Sequence, residues 1–515
     1  MPLPDPSETV RHLRLSQAVL LEETLVNKFK CRAARVTLML CAMTLAGTAA
    51  ASTPAPRLAD DPRVADALQL WAEWVEYQAG TNRVPGISLG VVHDQEVLGT
   101  RAFGLANPAA GLPATPDTLF SICSISKLFT SIALMQQRDA GRLRLDDPVA
   151  QHLDWFDIEN LHPDGESLTV RGLLTHAAGL PRESDFPYWT DPDYPFPTRE
   201  QMRARLGEQQ TLYPAARYYQ YSNLGLTLVG EIVAERSGQP FDTYIRERIL
   251  DPLGMSSTFT DIPVELHGQR LAVGHTALQR DGTRNVVAPF QARGIAPAAG
   301  FASSVNDLAK FATWQFRVLE AGDEVLRSAT LREMHRVQWV DPDWKTTRGL
   351  GFAVLREGER TFVRHSGGCP GYFSEFRLEP ASKIGVIVLS NAIGAEVHFY
   401  AARAFDLLGP AVAAALGAPS DQPPRDAGFE RYTGIYASIW GQDAVVRWGD
   451  GLALLDLRSR DPKNDMELLQ HTGEHTFRRV RSDDGSLGEA VFFEVGADGA
   501  VRRFQQHSIW MDKVR

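Results

Sequence analysis

The stretch from Ala418 to Ala427 carries Pro419, Pro423 and Pro424, and such a run continues neither a helix nor a paired strand. It forces the chain to find a separate core on each side. Upstream, helical and strand patterns are mixed; downstream, short alternating strands prevail. At 515 residues the chain exceeds what one ordinary core can bury. Two domains are therefore expected, 63–417 and 428–515, with 418–427 as linker.

In the first domain, Val64, Leu68, Leu70, Trp71, Trp74 and Val75 fit one face of an amphipathic helix between Arg63 and Ala79. Ile87–Val92 and Val97–Phe103, joined by His93-Asp94-Gln95, read as a hairpin. Ser124–Asp139 is a strong helix stopped at Gly141, and shorter helices are expected at Val170–Thr175, Arg199–Leu206 and Leu224–Arg236. Strands then follow at Leu350–Leu355, Thr361–His365, Ser374–Leu378 and Ile384–Ser390. An Ala- and Leu-rich helix from about Glu396 to Leu416 covers them, with Pro410 expected to disturb or split it. This order predicts an α+β fold: one antiparallel sheet flanked by helices, where both ends of the domain meet, with an all-helical insertion between them.

Past the linker, Tyr432–Tyr436, Ala444–Trp448, Leu452–Leu457, Thr476–Val480, Ala490–Val495 and Val501–His507 alternate between turn residues such as Gly449-Asp450-Gly451. A small antiparallel β-barrel is expected there.

At the other end, Lys28, Lys30, Arg32 and Arg35 precede the apolar run Val36–Leu45 and the small residues Ala49-Ala50-Ala51. This reads as a secretory signal ending an N-terminal extension, 1–51, followed by a tether, 52–62. The preceding 27 residues point to a translation start nearer Val26. The apolar run is short for a membrane span, so no stable span is expected after cleavage, and the protein is expected to be periplasmic or secreted. Cys31 and Cys41 lie in the removed part, and Leu40 before Cys41 does not suit lipid attachment. Cys123 and Cys369 remain, an even pair in an oxidising compartment. A formal charge of −10 and the lack of a basic patch argue against a nucleic-acid partner. No metal-ligand spacing of histidines and no Gly-rich phosphate loop occurs, so neither metal nor cofactor is expected. The sequence sets no oligomeric state.

Three short motifs carry the chemistry. Ser124-Ile-Ser-Lys127 opens the apolar helix and places a hydroxyl and an amine one turn apart on one face. Tyr221-Ser222-Asn223 and His365-Ser366-Gly367 follow. A serine hydroxyl needs a base to become a nucleophile, and either Lys127 or Tyr221 could supply it. Asn223 can bond both a substrate amide and the lysine. An N-cap is the structural use of Ser124, and a turn before Leu224 that of Tyr221 and Asn223.

With these motifs in this order, residues 65 to 415 resemble the serine β-lactamase and penicillin-binding family, in particular its class C-like branch. Leu173-Leu174-Thr175-His176-Ala177-Ala178-Gly179-Leu180, Asp251-Pro252-Leu253-Gly254-Met255 and Gly300-Phe301-Ala302-Ser303-Ser304 support the likeness. The resemblance implies an acyl-Ser124 intermediate, Tyr221 carrying a proton as phenolate, and an oxyanion hole of the Ser124 and Gly368 backbone N–H groups. It puts His365, Ser366, Gly367 and Gly368 on a strand edge that binds substrate. It also implies a Cys123–Cys369 disulfide and a lipocalin-like C-terminal domain that shapes access to the cleft or binds a partner. Many relatives have lysine at the position of His365. A partly charged histidine anchors a carboxylate less firmly, which shifts the expected substrates to esters, amides or D-amino-acid peptides. A β-lactamase or DD-peptidase is the alternative, and a non-catalytic sensor or scaffold for cell-wall fragments is the alternative of another class. His176 is read as bracing a helix. Phe186, Tyr188, Trp189, Tyr194 and Phe196 are either a cleft wall or the packing of a long loop.

Overall fold

The computed structural model describes residues 57–417 and 427–515. The expected signal and all but the last residue of the expected linker lie outside the described residues. At the described end of the expected tether, Leu58–Asp60 form one 3-10 turn, with the Leu58 and Ala59 N–H groups donating to the Glu96 carboxylate.

The main helices are α1 (Pro62–Thr81), α2 (Ser126–Asp139), α3 (Asn223–Ser237), α4 (Val305–Glu320) and α5 (Val397–Gly417). Asp61 caps α1 through the Arg63 N–H, and Pro62 sits at its start, where the missing donor costs nothing. Among the described residues one sheet has nine strands: β1 (Gly86–His93), β2 (Glu96–Asn107), β3 (Leu112–Pro113), β4 (Trp339–Val340), β5 (Thr347–Arg348), β6 (Ala353–Glu357), β7 (Arg360–Cys369), β8 (Tyr372–Glu379) and β9 (Ile384–Ser390). Their order is β3-β2-β1-β9-β8-β7-β6-β5-β4, antiparallel throughout. The central pairing joins the two ends of the domain, with Ile87 opposite Ser390 and Leu89 opposite Val388. The fold class expected from sequence is the one observed.

Alternation along the central strands sorts the two faces. Leu89, Val91, Val386 and Val388 pack with Trp71, Trp74, Tyr400 and Phe405 of α1 and α5. Ile387, Leu389 and Phe376 pack with Leu308, Phe311 and Trp314 of α4 and with the helical insertion. Helix α5 is long and apolar enough to cross a membrane, yet it lies against α1, β8 and β9. It runs unbroken through Pro410, contrary to the expected split. Pro410 is exposed, while Leu407, Leu408 and Val412 hold the turn from inside.

The C-terminal part closes into an eight-stranded antiparallel barrel, β10 (Gly434–Ser438), β11 (Gly441–Trp448), β12 (Gly451–Asp456), β13 (Glu467–Gly473), β14 (Thr476–Val480), β15 (Leu487–Val495), β16 (Val501–Gln506) and β17 (Ile509–Lys513), with Tyr436 opposite Lys513 at the seam. Sequence had singled out six of these. Leu469 is the one buried residue of β13, so that strand shows no alternation, and β17 is only Ile-Trp-Met-Asp-Lys. Tyr432, Tyr436, Phe477, Phe493 and Phe504 fill the barrel. Its outer residues Ile435, Ala444, Val446, Ala453 and Leu455 join the α1–α5 core instead. Trp74 Nε1 donates to Ser459 O at 2.9 Å and Gln78 Nε2 to Leu457 O at 2.7 Å. Arg515 pairs with Glu73 and, at 2.8 Å, with Glu76. The barrel thus covers the α1 side of the sheet.

Candidate active site

Ser124 lies in a single 3-10 turn, Cys123–Ile125, that leads into α2. No side chain caps either helix start, so the N-cap use of Ser124 is not the one observed. Ser126 anchors the turn instead: its hydroxyl donates to Cys123 O and accepts the Phe301 N–H at 2.9 Å. Cys123 is bonded to Cys369, with Cα atoms 5.7 Å apart. That bond ties the turn to the end of β7, next to Gly368. Gly367 is required for the approach, since a Cβ there would lie 2.2 Å from Ile122 O.

One turn on from Ser124, the buried Lys127 at the start of α2 extends its amine to three oxygens: Ser124 Oγ at 3.1 Å, Asn223 Oδ1 at 2.8 Å and Ala298 O at 2.7 Å. Burial holds its pKa well below the ordinary lysine value; Glu183 pulls the other way and Arg182 adds to the depression. The amine also lies 4.8 Å from the centroid of the Tyr221 ring.

Tyr221 and Asn223 bracket Ser222, the N-cap of α3, whose hydroxyl accepts the Gly225 N–H at 2.8 Å. Burial pushes the Tyr221 phenol up; a hydrogen bond with Ser124 and the charges of Arg182 and Arg348 offset this only in part. His176 ends the helix Val170–Thr175 in a left-handed conformation, φ 59°. Its Nδ1 accepts the Ser222 N–H at 3.1 Å and its ring stacks on Tyr221, so it braces the tyrosine as well as its own helix.

His365 stands on β7 opposite Phe376, 6.4 Å between ring centroids from Tyr221. Its Nδ1 donates to Ser366 O at 2.7 Å, which leaves Nε2 without a hydrogen and without a protein partner. Burial, with the Lys127 charge next, lowers its pKa to about 3. The imidazole is therefore neutral across the physiological range, a firmer statement than the partial charge expected from sequence.

Ser124, Tyr221, His365, Ser366 and Gly368 line one cleft of about 430 Å³ together with Arg182, Lys345, Arg348 and Arg364. Lys127 and Asn223 stand behind it, and Gly367 lies beneath, against Ile122. Arg364 is engaged by the buried Glu375 at 2.6 Å through both oxygens. Among the described residues that line this cleft, none belongs to the barrel. The aromatic loop is not its wall either: Tyr188, Tyr194 and Phe196 are buried, and Phe196 stacks on Phe290 at 5.3 Å. Sequence reasoning missed Arg182, Glu183 and Arg348. Among the described residues no group of three His, Cys, Asp or Glu side chains is placed to hold a metal ion.

A family model described as Beta-lactamase matches residues 71–411. Beta-lactamase-like protein 2 of Dictyostelium discoideum is 26% identical over 472 residues, 85% of this chain and 84% of its own. The octameric penicillin-binding protein homologue from Pyrococcus abyssi superposes with a TM-score of 0.59 at 26% identity, covering 87% of this chain and 100% of that one. The D-amino acid amidase from Ochrobactrum anthropi SV3, solved with L-phenylalanine amide, gives 0.55 at 25% identity over 68% of this chain and 99% of its own.

Proposed function

Since the chain belongs to the beta-lactamase family, we propose that it is a serine hydrolase that forms an acyl-Ser124 intermediate with esters, amides or D-amino-acid-containing peptides. One observation carries this reading. Burial favours the uncharged forms of both Lys127 and Tyr221, and of these two only the amine is then a competent base 3.1 Å from the Ser124 hydroxyl. As Oγ attacks a carbonyl, Lys127 takes its proton. The ammonium so formed keeps Asn223 Oδ1 and Ala298 O as acceptors. The Ser124 and Gly368 backbone N–H groups receive the developing oxyanion. Neutral Tyr221 gives its proton to the leaving amine or alkoxide and recovers one from Lys127. Water then releases the acyl group along the reverse path.

The cleft favours acyl substrates with an anionic group. Its lining holds Arg182, Lys345 and Arg348; Arg182 is paired with Glu183, so the charge that a lysine at position 365 would supply comes from Arg348 on β5 and from Lys345 just before it. A D-amino acid amidase among the similar structures supports amides; the cationic lining equally suits the carboxylate of a β-lactam or of a D-alanyl peptide, the second reading. The Cys123–Cys369 bond and the signal-like segment support an exported, periplasmic or secreted protein.

Intact-mass analysis with a fluorophosphonate, a penicillin and p-nitrophenyl esters tests the proposal. One acyl or phosphonyl adduct is expected on the native chain and none on Ser124→Ala. Lys127→Arg, fixed as a cation, is expected to acylate about 10³-fold more slowly. Unchanged labelling and turnover in Ser124→Ala would remove the acyl-Ser124 reading, whereas no adduct and no turnover on the native chain would leave the sensor or scaffold reading in its place.

A further inference from the structure

Glu183 belongs to none of the three motifs, yet its carboxylate reaches the centre of the site. Oε1 and Oε2 accept from Asn223 Nδ2 at 2.9 and 3.1 Å. The Tyr188 hydroxyl donates to Oε2, and Arg182 Nε lies 3.1 Å from Oε1. Asn223 Oδ1 in turn accepts from Lys127 Nζ at 2.8 Å, and Lys127 touches Ser124. A continuous chain of contacts therefore runs from Glu183 through one amide to the nucleophile.

The amide in that chain can sit in two ways. As observed, its oxygen faces an amine and its nitrogen faces a carboxylate. Flipped, an N–H would meet the lysine donors and a carbonyl oxygen would meet the carboxylate, two repulsive contacts in a buried place. Asn223 is 2% exposed, so water does not relieve either.

We propose that Glu183 is a positioning residue for hydrolysis: it locks Asn223 with the amide oxygen on Lys127 and so holds the amine against Ser124. The inference rests on the roles given above to Ser124 and Lys127. A second consequence is electrostatic. The groups facing Lys127 are Ser124 from the turn before α2, Tyr221 just before α3 and Asn223 at its start, Ala298 O, Arg182 and Glu183 from the loop, and at longer range His176 and His365. Glu183 is the anion that acts most strongly on the amine, against burial and Arg182. Its charge keeps Lys127 from losing its proton too readily.

The test compares kcat, KM and the pH profile of kcat/KM for the full chain and for Glu183→Gln, Glu183→Ala and Tyr188→Phe, with a p-nitrophenyl ester as substrate. Glu183→Gln keeps an acceptor for Asn223 but no charge, so the Lys127-linked limb is expected to move to lower pH by about half a pH unit or more. Glu183→Ala frees the amide, and kcat is expected to fall about tenfold or more with KM changed by less than about threefold. Tyr188→Phe removes only the loop contact and is expected to leave the limb where it is. An unmoved limb in Glu183→Gln overturns the proposal, and so do equal losses and equal limbs in Glu183→Ala and Tyr188→Phe, which would mark a loop anchor. If Glu183→Ala does not fold, Glu183→Gln decides alone. Ser124→Ala in the same assay separates the two levels: full activity there removes the acyl-Ser124 reading, whereas its loss beside unaffected Glu183 variants removes only the role of Glu183.

Discussion

The imidazole of His176 is stacked on the ring of Tyr221, centroids 4.4 Å apart and planes 29° apart, while its Nδ1 accepts the Ser222 N–H. Burial keeps this imidazole uncharged, so it supports the phenol without adding a cation. His176→Ala is expected to leave the Ser222 N–H unpaired and Tyr221 loose. Steady-state kinetics should show kcat lowered about 10- to 100-fold, and thermal unfolding a stability loss of about 1–3 kcal/mol. Unchanged kcat would mean that the tyrosine is held by the backbone alone.

Arg348 stands at the cleft beside a neutral His365, its guanidinium 4.5 Å from the Tyr219 ring centroid and bonded to the Tyr219 hydroxyl. If it anchors an anionic substrate, Arg348→Ala should raise KM about tenfold or more for carboxylate-bearing amides and leave neutral esters within about twofold. His365→Gln should leave in place any kinetic limb between pH 5 and 8, because a group held at about 3 is already deprotonated there. Paired substrates with and without a carboxylate make the measurement direct.

Cys123 and Cys369 are 246 residues apart. A chain-entropy treatment gives roughly 5 kcal/mol for closing such a loop, an upper bound. Purified protein is expected to take up no iodoacetamide at these two positions until it is reduced. Reduction should then lower the melting temperature and slow acylation, since the bond flanks both Ser124 and Gly368. Two alkylated thiols in unreduced protein would contradict it.

In the barrel, burial and then the neighbouring Asp456 push Asp443 up to about 6. The fold therefore favours its protonated form, and the associated stability is present below about pH 4 and lost as pH rises through 6. Asp443→Asn keeps an oxygen for the Gln506 amide, now 3.1 Å from Asp443 Oδ2. At pH 7.5 the variant is expected to be more stable by on the order of 2 kcal/mol. At pH 4 it should match the native protein. Calorimetry across that range is the check.

What could be read in advance was whatever repeats or sits in a fixed local spacing. Ser124 and Lys127 share a helix face because of their spacing, and β9 is legible to the residue because Ile384–Ser390 is a short, mostly apolar run rich in β-branched residues, which the structure buries throughout. Tyr221, Asn223 and His365 could be joined to them only through family likeness, since nothing local tells β7 to meet α2. Glu183 had no such signal. One carboxylate in a loop rich in proline and aromatic residues becomes meaningful only when the fold brings it to Asn223. Pro410 misled for the opposite reason, because a rule for isolated helices was outweighed by the packing of α5 against α1, β8 and β9.

The ladder between β1 and β9 sets the timetable of synthesis. The β1–β2 hairpin leaves the ribosome with one edge open, and the strand that closes it, from Ile384 to Ser390, is made only after the whole helical insertion. Until then no enclosed sheet exists, and the exposed edge is prone to pair with other chains. A nonsense codon anywhere in the insertion should therefore yield a chaperone client or aggregate, whereas one just past α5 would spare the sheet and strip the cover from Trp74.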